Sequence, residues 1–104
     1  MQGKNGPLVT AKQLQQKLEE QNFKCALTGA ILTPALSSLD HVDPRSRGGD
    51  DGIENLQIVL PVVNKAKGTM TQSQFVAMCH AVSRWNADTS DASWSKYTGH
   101  PVGG

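Results

Sequence analysis

The chain is short of aromatic residues, cysteines, net charge and long apolar runs, and each shortage closes off a class of protein. No apolar run approaches the ~18 residues that a membrane-spanning helix needs. Met1-Gln2-Gly3-Lys4-Asn5-Gly6 lacks the apolar stretch of a signal peptide, so the expected setting is cytoplasmic. Cys25 and Cys79 are the two cysteines. Neither has a Cys or His partner at C-x-x-C spacing, so no disulfide framework and no structural zinc knuckle is expected. Reduced thiols are favoured over a Cys25–Cys79 bridge. The aromatics are Phe23, Phe75, Trp85, Trp94 and Tyr97, in 104 residues that amount to one domain with a modest core.

A net charge of +1 argues against a dedicated, tight nucleic-acid binder. The centre is balanced as well. Lys24, Arg45, Arg47, Lys65 and Lys67 face Asp40, Asp43, Asp50, Asp51 and Glu54 in the count. Local arrangement therefore matters more than net charge, and a bound divalent cation would offset part of the acidic side.

What the chain does have is ordered punctuation. Residues 1–9 read as a flexible lead-in. Thr10 and Gln13 form a capping box that starts a helix, with Ala11, Leu14 and Leu18 at helical spacing and Phe23 just past its end. Cys25 to Gly29 reads as a strand end running into a turn, and Leu36 to Val42 as a strand. Pro44, Gly48, Gly49 and Gly52 exclude regular structure from Asp43 to Glu54. Leu56 to Leu60 alternates and is rich in branched residues, which predicts a second strand. Pro61 opens a short helix that stops at Gly68. Thr71 and Gln74 cap a last helix, with Phe75, Met78, Cys79, Val82 and Trp85 as its core-facing stripe. The tail, 86–104, is rich in Ser, Asp, Thr and Gly and reads as mobile.

Asp40-His41 ends the first strand and is the most informative pair. A carboxylate is a hard-metal ligand, and an imidazole titrates near neutral pH. If the short helix crosses the hairpin, Asn64 faces Asp40 across one ion, with water and phosphate oxygens completing the shell. Mg²⁺ is commonly held in this way. His41 is then the general base that activates water for in-line attack on phosphorus. The Asn55 amide can bond backbone groups of the long loop and hold the geometry around His41. Arg47 and Lys67, and after them Arg45 and Lys65, are the candidate phosphate contacts. Asp43, Asp50 and Asp51 read as loop-turn acids, and His80 and His100 lie outside the site.

These residues carry a resemblance. Leu39-Asp40-His41-Val42-Asp43-Pro44-Arg45-Ser46-Arg47-Gly48-Gly49, then Glu54-Asn55-Leu56, then Asn64-Lys65-Ala66-Lys67-Gly68, resemble an HNH endonuclease of the ββα-metal, or His-Me finger, group. The spacings are 14 residues from His41 to Asn55 and 9 from Asn55 to Asn64. They also resemble the target-strand nuclease domain of RNA-guided CRISPR effectors. The resemblance implies His41 as general base, Asp40 and Asn64 as metal ligands, and Asn55 as loop stabiliser. Asn64 stands where the family often has histidine. Thr28 stands where zinc-bearing members have a second cysteine, so the flanking helices are expected to hold the finger.

The expected fold is α+β: a small ββα-metal finger, a two-stranded antiparallel hairpin plus short helix, flanked by N- and C-terminal helices. Residues 10–85 would form the nuclease domain, with its core at 37–68. The implied activity is that of a stand-alone, divalent-metal-dependent endonuclease, with Mg²⁺ or Mn²⁺. It would nick or cut DNA and leave a 5′-phosphate and a 3′-hydroxyl. Sequence specificity should be low, because 104 residues leave no room for a DNA-reading module. Small relatives occur in phages and bacteria, which implies a bacterial or phage-infected cytoplasm and makes the phage terminase or other packaging proteins candidate partners. The rival readings are a non-catalytic nucleic-acid-binding or packaging module that keeps the finger as scaffold, and a purely structural metal domain.

Overall fold

A computed structural model describes residues 9–86 and 91–98. Helix α1 spans Ala11–Glu20. The Gln13 amide donates to the Thr10 hydroxyl at 3.1 Å, and the Thr10 N–H donates back to Gln13 Oε1 at 2.9 Å. This box satisfies donors that a helix start leaves without an intrahelical partner. Leu14 and Leu18 rest half-buried against the core. The chain leaves α1 through Asn22 and Phe23, both at positive φ. That region is uncommon for a bulky residue. Here it is held by the Phe23 N–H on the Leu18 carbonyl and the Leu32 N–H on the Phe23 carbonyl, both at 2.8 Å.

Strands β1 (Ser38–His41) and β2 (Leu56–Val59) form an antiparallel hairpin. Ser38 lies opposite Val59, Leu39 opposite Ile58, Asp40 opposite Gln57 and His41 opposite Leu56. β1 is shorter than the pattern predicts. Pro34–Leu36 winds into a 3-10 turn, which the Ser37 hydroxyl closes on the Thr33 carbonyl at 2.7 Å. The loop between the strands is not wholly irregular either. It holds two 3-10 turns, Arg45–Arg47 and Ile53–Asn55, the first ended by Gly48 at φ 90°.

The alternation read in β2 does not describe its burial, because all four of its residues are buried. α1 packs on this strand, and the Gln21 side chain after α1 closes its outer edge. Gln21 Oε1 accepts the Ile58 N–H at 3.0 Å and Gln21 Nε2 donates to the Ile58 carbonyl at 2.8 Å. One side-chain amide thus stands in for a neighbouring strand. Pro61 opens α2 (Pro61–Lys67), and Gly68 ends it at φ 55°. α2 packs across β1 and completes the ββα unit. Ile58, Val59, Leu60 and Val63 form the centre of the core, with Cys25 and Leu32 behind them.

Helix α3 (Gln72–Trp85) starts at the Thr71/Gln74 capping box. Its apolar stripe corrects the sequence reading. Phe75 is buried, but Met78 is 40% exposed, Val82 57% and Trp85 89%, and Cys79 is an exposed free thiol. The buried core ends at Phe75, and the helix carries the stripe about 15 Å further into growing exposure. Of the expected tail, residues Ala92–Tyr97 wind into a 3-10 helix and Thr98 is buried. Residues 87–90 and 99–104, and the lead-in 1–8, lie outside the described residues. Among the described residues no helix is long and apolar enough to cross a membrane.

Gln21→Ala leaves the Ile58 N–H without its partner and should cost about 1–3 kcal/mol. Chemical denaturation should show this as a lower midpoint with an unchanged slope.

Candidate active site

The site is built where α2 crosses the end of the hairpin. Asp40 and His41 are the last two residues of β1, the first buried and the second half-buried. Asp40 turns inward and is 4% exposed. Its cross-strand neighbour Gln57 donates to Oδ2 at 2.8 Å, and Lys67 Nζ from α2 lies 3.2 Å from Oδ1. The same ammonium donates to the His41 carbonyl at 2.7 Å. Lys67 is 1% exposed. A charge buried this completely needs a counter-charge, and Asp40 provides it. This corrects one expectation: Lys67 is not a phosphate contact, because its ammonium is inside the fold and committed to Asp40.

His41 borders the same cleft as Asp40, and its Nε2 lies 2.8 Å from Asp51 Oδ1. That hydrogen bond, with the nearby Arg45 charge adding to it, holds the Asp51 carboxyl below the usual carboxylate range against the opposing effect of desolvation. A carboxyl lowered by a native partner stabilises the fold above its ordinary value and loses that contribution as pH falls through the lowered one. Arg45 Nε lies 3.5 Å from the same oxygen.

Asn55 pins the loop that carries Asp51. Its Oδ1 accepts the Asp43 N–H at 3.0 Å, and its Nδ2 donates to the Asp43 carbonyl at 3.0 Å and the Asp50 carbonyl at 2.8 Å. Its own carbonyl accepts the Val42 N–H at 2.8 Å. Four bonds from one residue thus tie both limbs of the loop. The limbs pass so closely that a Cβ on Gly49 would lie 1.7 Å from the Asp43 carbonyl oxygen. Only glycine fits there.

Asn64, on α2, donates from Nδ2 to Ser38 Oγ at 2.6 Å and to the Leu39 carbonyl at 3.1 Å. Its amide oxygen is thereby the end left for an electrophile. Asp40, His41 and Asn64 line one open cleft of about 260 Å³, with Arg45 and Ser46 on its rim. A larger concavity of about 570 Å³ lies between α1 and β1, but its walls, among them Leu14, Leu18, Phe23 and Leu39, carry no titratable side chain. The smaller cleft carries the titratable and oxygen-donor side chains, Asp40, His41 and Asn64 among them. Arg47 donates from Nε to the Thr69 carbonyl at 3.1 Å, and Lys65 is exposed on α2.

The donors in this cleft suit a hard cation rather than zinc. No cluster of three or more His, Cys, Asp or Glu side chains occurs among the described residues. What the cleft offers is oxygen: Asp40, whose carboxylate keeps lone pairs beyond its two N–H donors, and the Asn64 amide oxygen. Two protein oxygens with room for water and phosphate fit Mg²⁺ or a similar ion.

Residues 28–73, the stretch from the turn before the hairpin into the start of α3, match the HNH endonuclease family. The chain is also similar to the CRISPR-associated endonuclease Cas9 of Corynebacterium diphtheriae, 29% identical over 83 residues. The match covers 80% of this chain and 6% of that protein's length. HNH nucleases generally use a divalent metal, and the oxygen donors of the cleft are of the kind such an ion takes.

Sequence reasoning on the HNH segment missed Gln57 and Asp51. Gln57 becomes visible only with the hairpin register, which a fourteen-residue loop between Val42 and Asn55 leaves unfixed. Asp51 reads as one more loop acid until the Asn55 clamp folds its limb back onto His41.

Lys67→Ala leaves the Asp40 carboxylate buried without its cation. The loss should be about 3–5 kcal/mol, as for other broken buried pairs. Thermal unfolding followed by circular dichroism should show a marked fall in Tm, and Lys65→Ala, on the exposed face of the same helix, should leave Tm nearly unchanged.

Proposed function

We propose that this HNH segment, within a unit spanning 10–85, hydrolyses DNA phosphodiester bonds with the help of one divalent ion, Mg²⁺ or in its place Mn²⁺. The observation that carries the reading is the convergence of Asp40, His41 and Asn64 on one open cleft. Asp40 and Asn64 would hold the ion. When bound, such an ion supplies charge stabilisation on the phosphate and the leaving 3′-oxygen.

The remaining chemistry belongs to the chain. The His41 imidazole takes a proton from water as the water attacks phosphorus in line. The products are a 5′-phosphate and a 3′-hydroxyl. Asn55 keeps the loop closed so that the imidazole stays in place. Gln57 and Lys67 hold the Asp40 carboxylate in one orientation, which is what a ligand supplied by a strand end requires.

Arg45, at the rim, and the exposed Arg47 and Lys65 would meet the DNA backbone. Three such contacts from a nearly neutral chain give modest affinity that falls with salt and reads little sequence. The activity would not require a further domain, and either nicking or double-strand cutting fits an open cleft. The fold and the cleft favour no terminase or other packaging partner.

The test is conversion of supercoiled plasmid to open circle across a panel of divalent ions. His41→Ala should lower the rate by at least about 100-fold while the far-ultraviolet spectrum stays native. Full nicking by that variant would remove His41 from the base role. Asp40→Ala and Asn64→Ala should raise the metal concentration needed for half-maximal rate. No cleavage by the wild type with any ion would favour a binding module built on the same scaffold.

A further inference from the structure

The His41–Asp51 contact gives a loop acid a part in the reaction. Asp51 reaches Nε2 at 2.8 Å, the distance of a good hydrogen bond to a charged acceptor. A carboxylate only accepts, so Nε2 must carry the hydrogen. The other ring nitrogen, Nδ1, is then the one with a free lone pair. The contact also fixes the ring, since His41 is only partly buried and its side chain makes no other hydrogen bond among the described residues. Once Nδ1 takes a proton from water, the imidazolium that forms lies against an anion already in place.

Asp51 is not placed by chance. Asn55 Nδ2 donates to the carbonyl of Asp50, the preceding residue, at 2.8 Å. Asp50 in turn accepts the Gly52 N–H on its Oδ1 at 2.9 Å and so shapes the turn around Asp51. Gly49 lets the two limbs approach closely enough for this. The clamp therefore sets the position of the carboxylate as well as the path of the loop. Arg45 Nε, 3.5 Å from the same oxygen, is a second cation on Asp51, and it too lies on the cleft.

We infer that Asp51 is the positioning residue of the general base: it holds the His41 ring through Nε2, leaves Nδ1 to accept the proton of the attacking water, and stabilises the imidazolium. It touches neither water nor phosphate. This rests on the reading of His41 as base. The logic is that of a carboxylate behind a catalytic imidazole, met on other folds. Here the acid comes from the loop ten residues after the histidine.

Plasmid nicking kinetics and a nitrogen-15 proton spectrum tuned to imidazole signals test the inference on Asp51→Ala, Asp51→Asn and His41→Ala. The wild type should show a protected His41 Nε2–H signal, and Asp51→Ala should lose it. Asp51→Ala should lower kcat on the order of 10- to 100-fold, the range for partners that orient an imidazole, with KM for plasmid little changed. Asp51→Asn keeps an acceptor of the same shape without the charge, and should recover part of the signal and part of kcat. Arg45→Ala should keep the Nε2–H signal, which separates the contact to histidine from the one to arginine.

Wild-type kcat in Asp51→Ala, with His41→Ala inactive, overturns the positioning role and leaves the base role standing. A change confined to KM overturns it too, by making Asp51 a DNA-facing residue. Full activity in His41→Ala is a different failure and removes the base itself. Asn55→Ala, with Asp51 intact, should lose the same Nε2–H signal, and its survival there would show that the clamp does not place Asp51.

Discussion

The buried ion pair between Asp40 and Lys67 is the constraint on which the rest of the site depends. It joins the end of β1 to the last turn of α2, and both side chains are almost fully excluded from solvent. Each group would be costly to bury alone, so neither strand nor helix can move without the other. Lys67 adds a bond to the His41 carbonyl, and Gln57 holds the second Asp40 oxygen from the neighbouring strand. Three elements thus meet on one carboxylate. A carboxylate held by so many partners would lose little orientational freedom on taking an ion. The ammonium that holds it would also compete with a metal ion for the same oxygens.

Around this fixed point His41 is placed by a different device. The loop from Val42 to Asn55 has two 3-10 turns and no strand to hold it. Asn55 supplies that hold from one side chain and one carbonyl. An amide can donate and accept at once, which is why asparagine, with one end on the Asp43 N–H and the other on two carbonyls, suits the position. The site is rigid around Asp40 through charge and along the loop beside His41 through neutral hydrogen bonds. Salt would screen an exposed arrangement of the first kind, but burial protects it.

The molecule is less evenly built away from the cleft. The core is dense at Ile58, Val59, Leu60 and Val63 and thins along α3, which keeps only Phe75 buried. α1 contributes no fully buried residue and acts through Gln21 at the edge of β2 as much as through Leu14 and Leu18. The segment from 28 to 73, which matches the HNH endonuclease family, holds the centre of this core. It also carries the cleft, and the chain spans only a small part of the Cas9 relative that it matches.

Much of this was legible in the sequence, for reasons that are local. Capping boxes at Thr10 and Thr71, proline at the start of α2 and glycine at its end each act within a few residues, so their order on the chain is enough to place the helices. Residue type and spacing singled out Asp40, His41, Asn55 and Asn64, and the first two line one cleft with Asn64. What tertiary structure decided depends on pairs far apart in the chain. Lys67 was read as a phosphate contact because a lysine on a short helix is usually solvated; only the crossing of α2 over β1 shows it buried on Asp40. Gln57 and Asp51 became partners through a strand register and a loop closure that no local pattern encodes. The stripe on α3 had the right period for a core face, but period says which residues share a side and not whether anything lies against it.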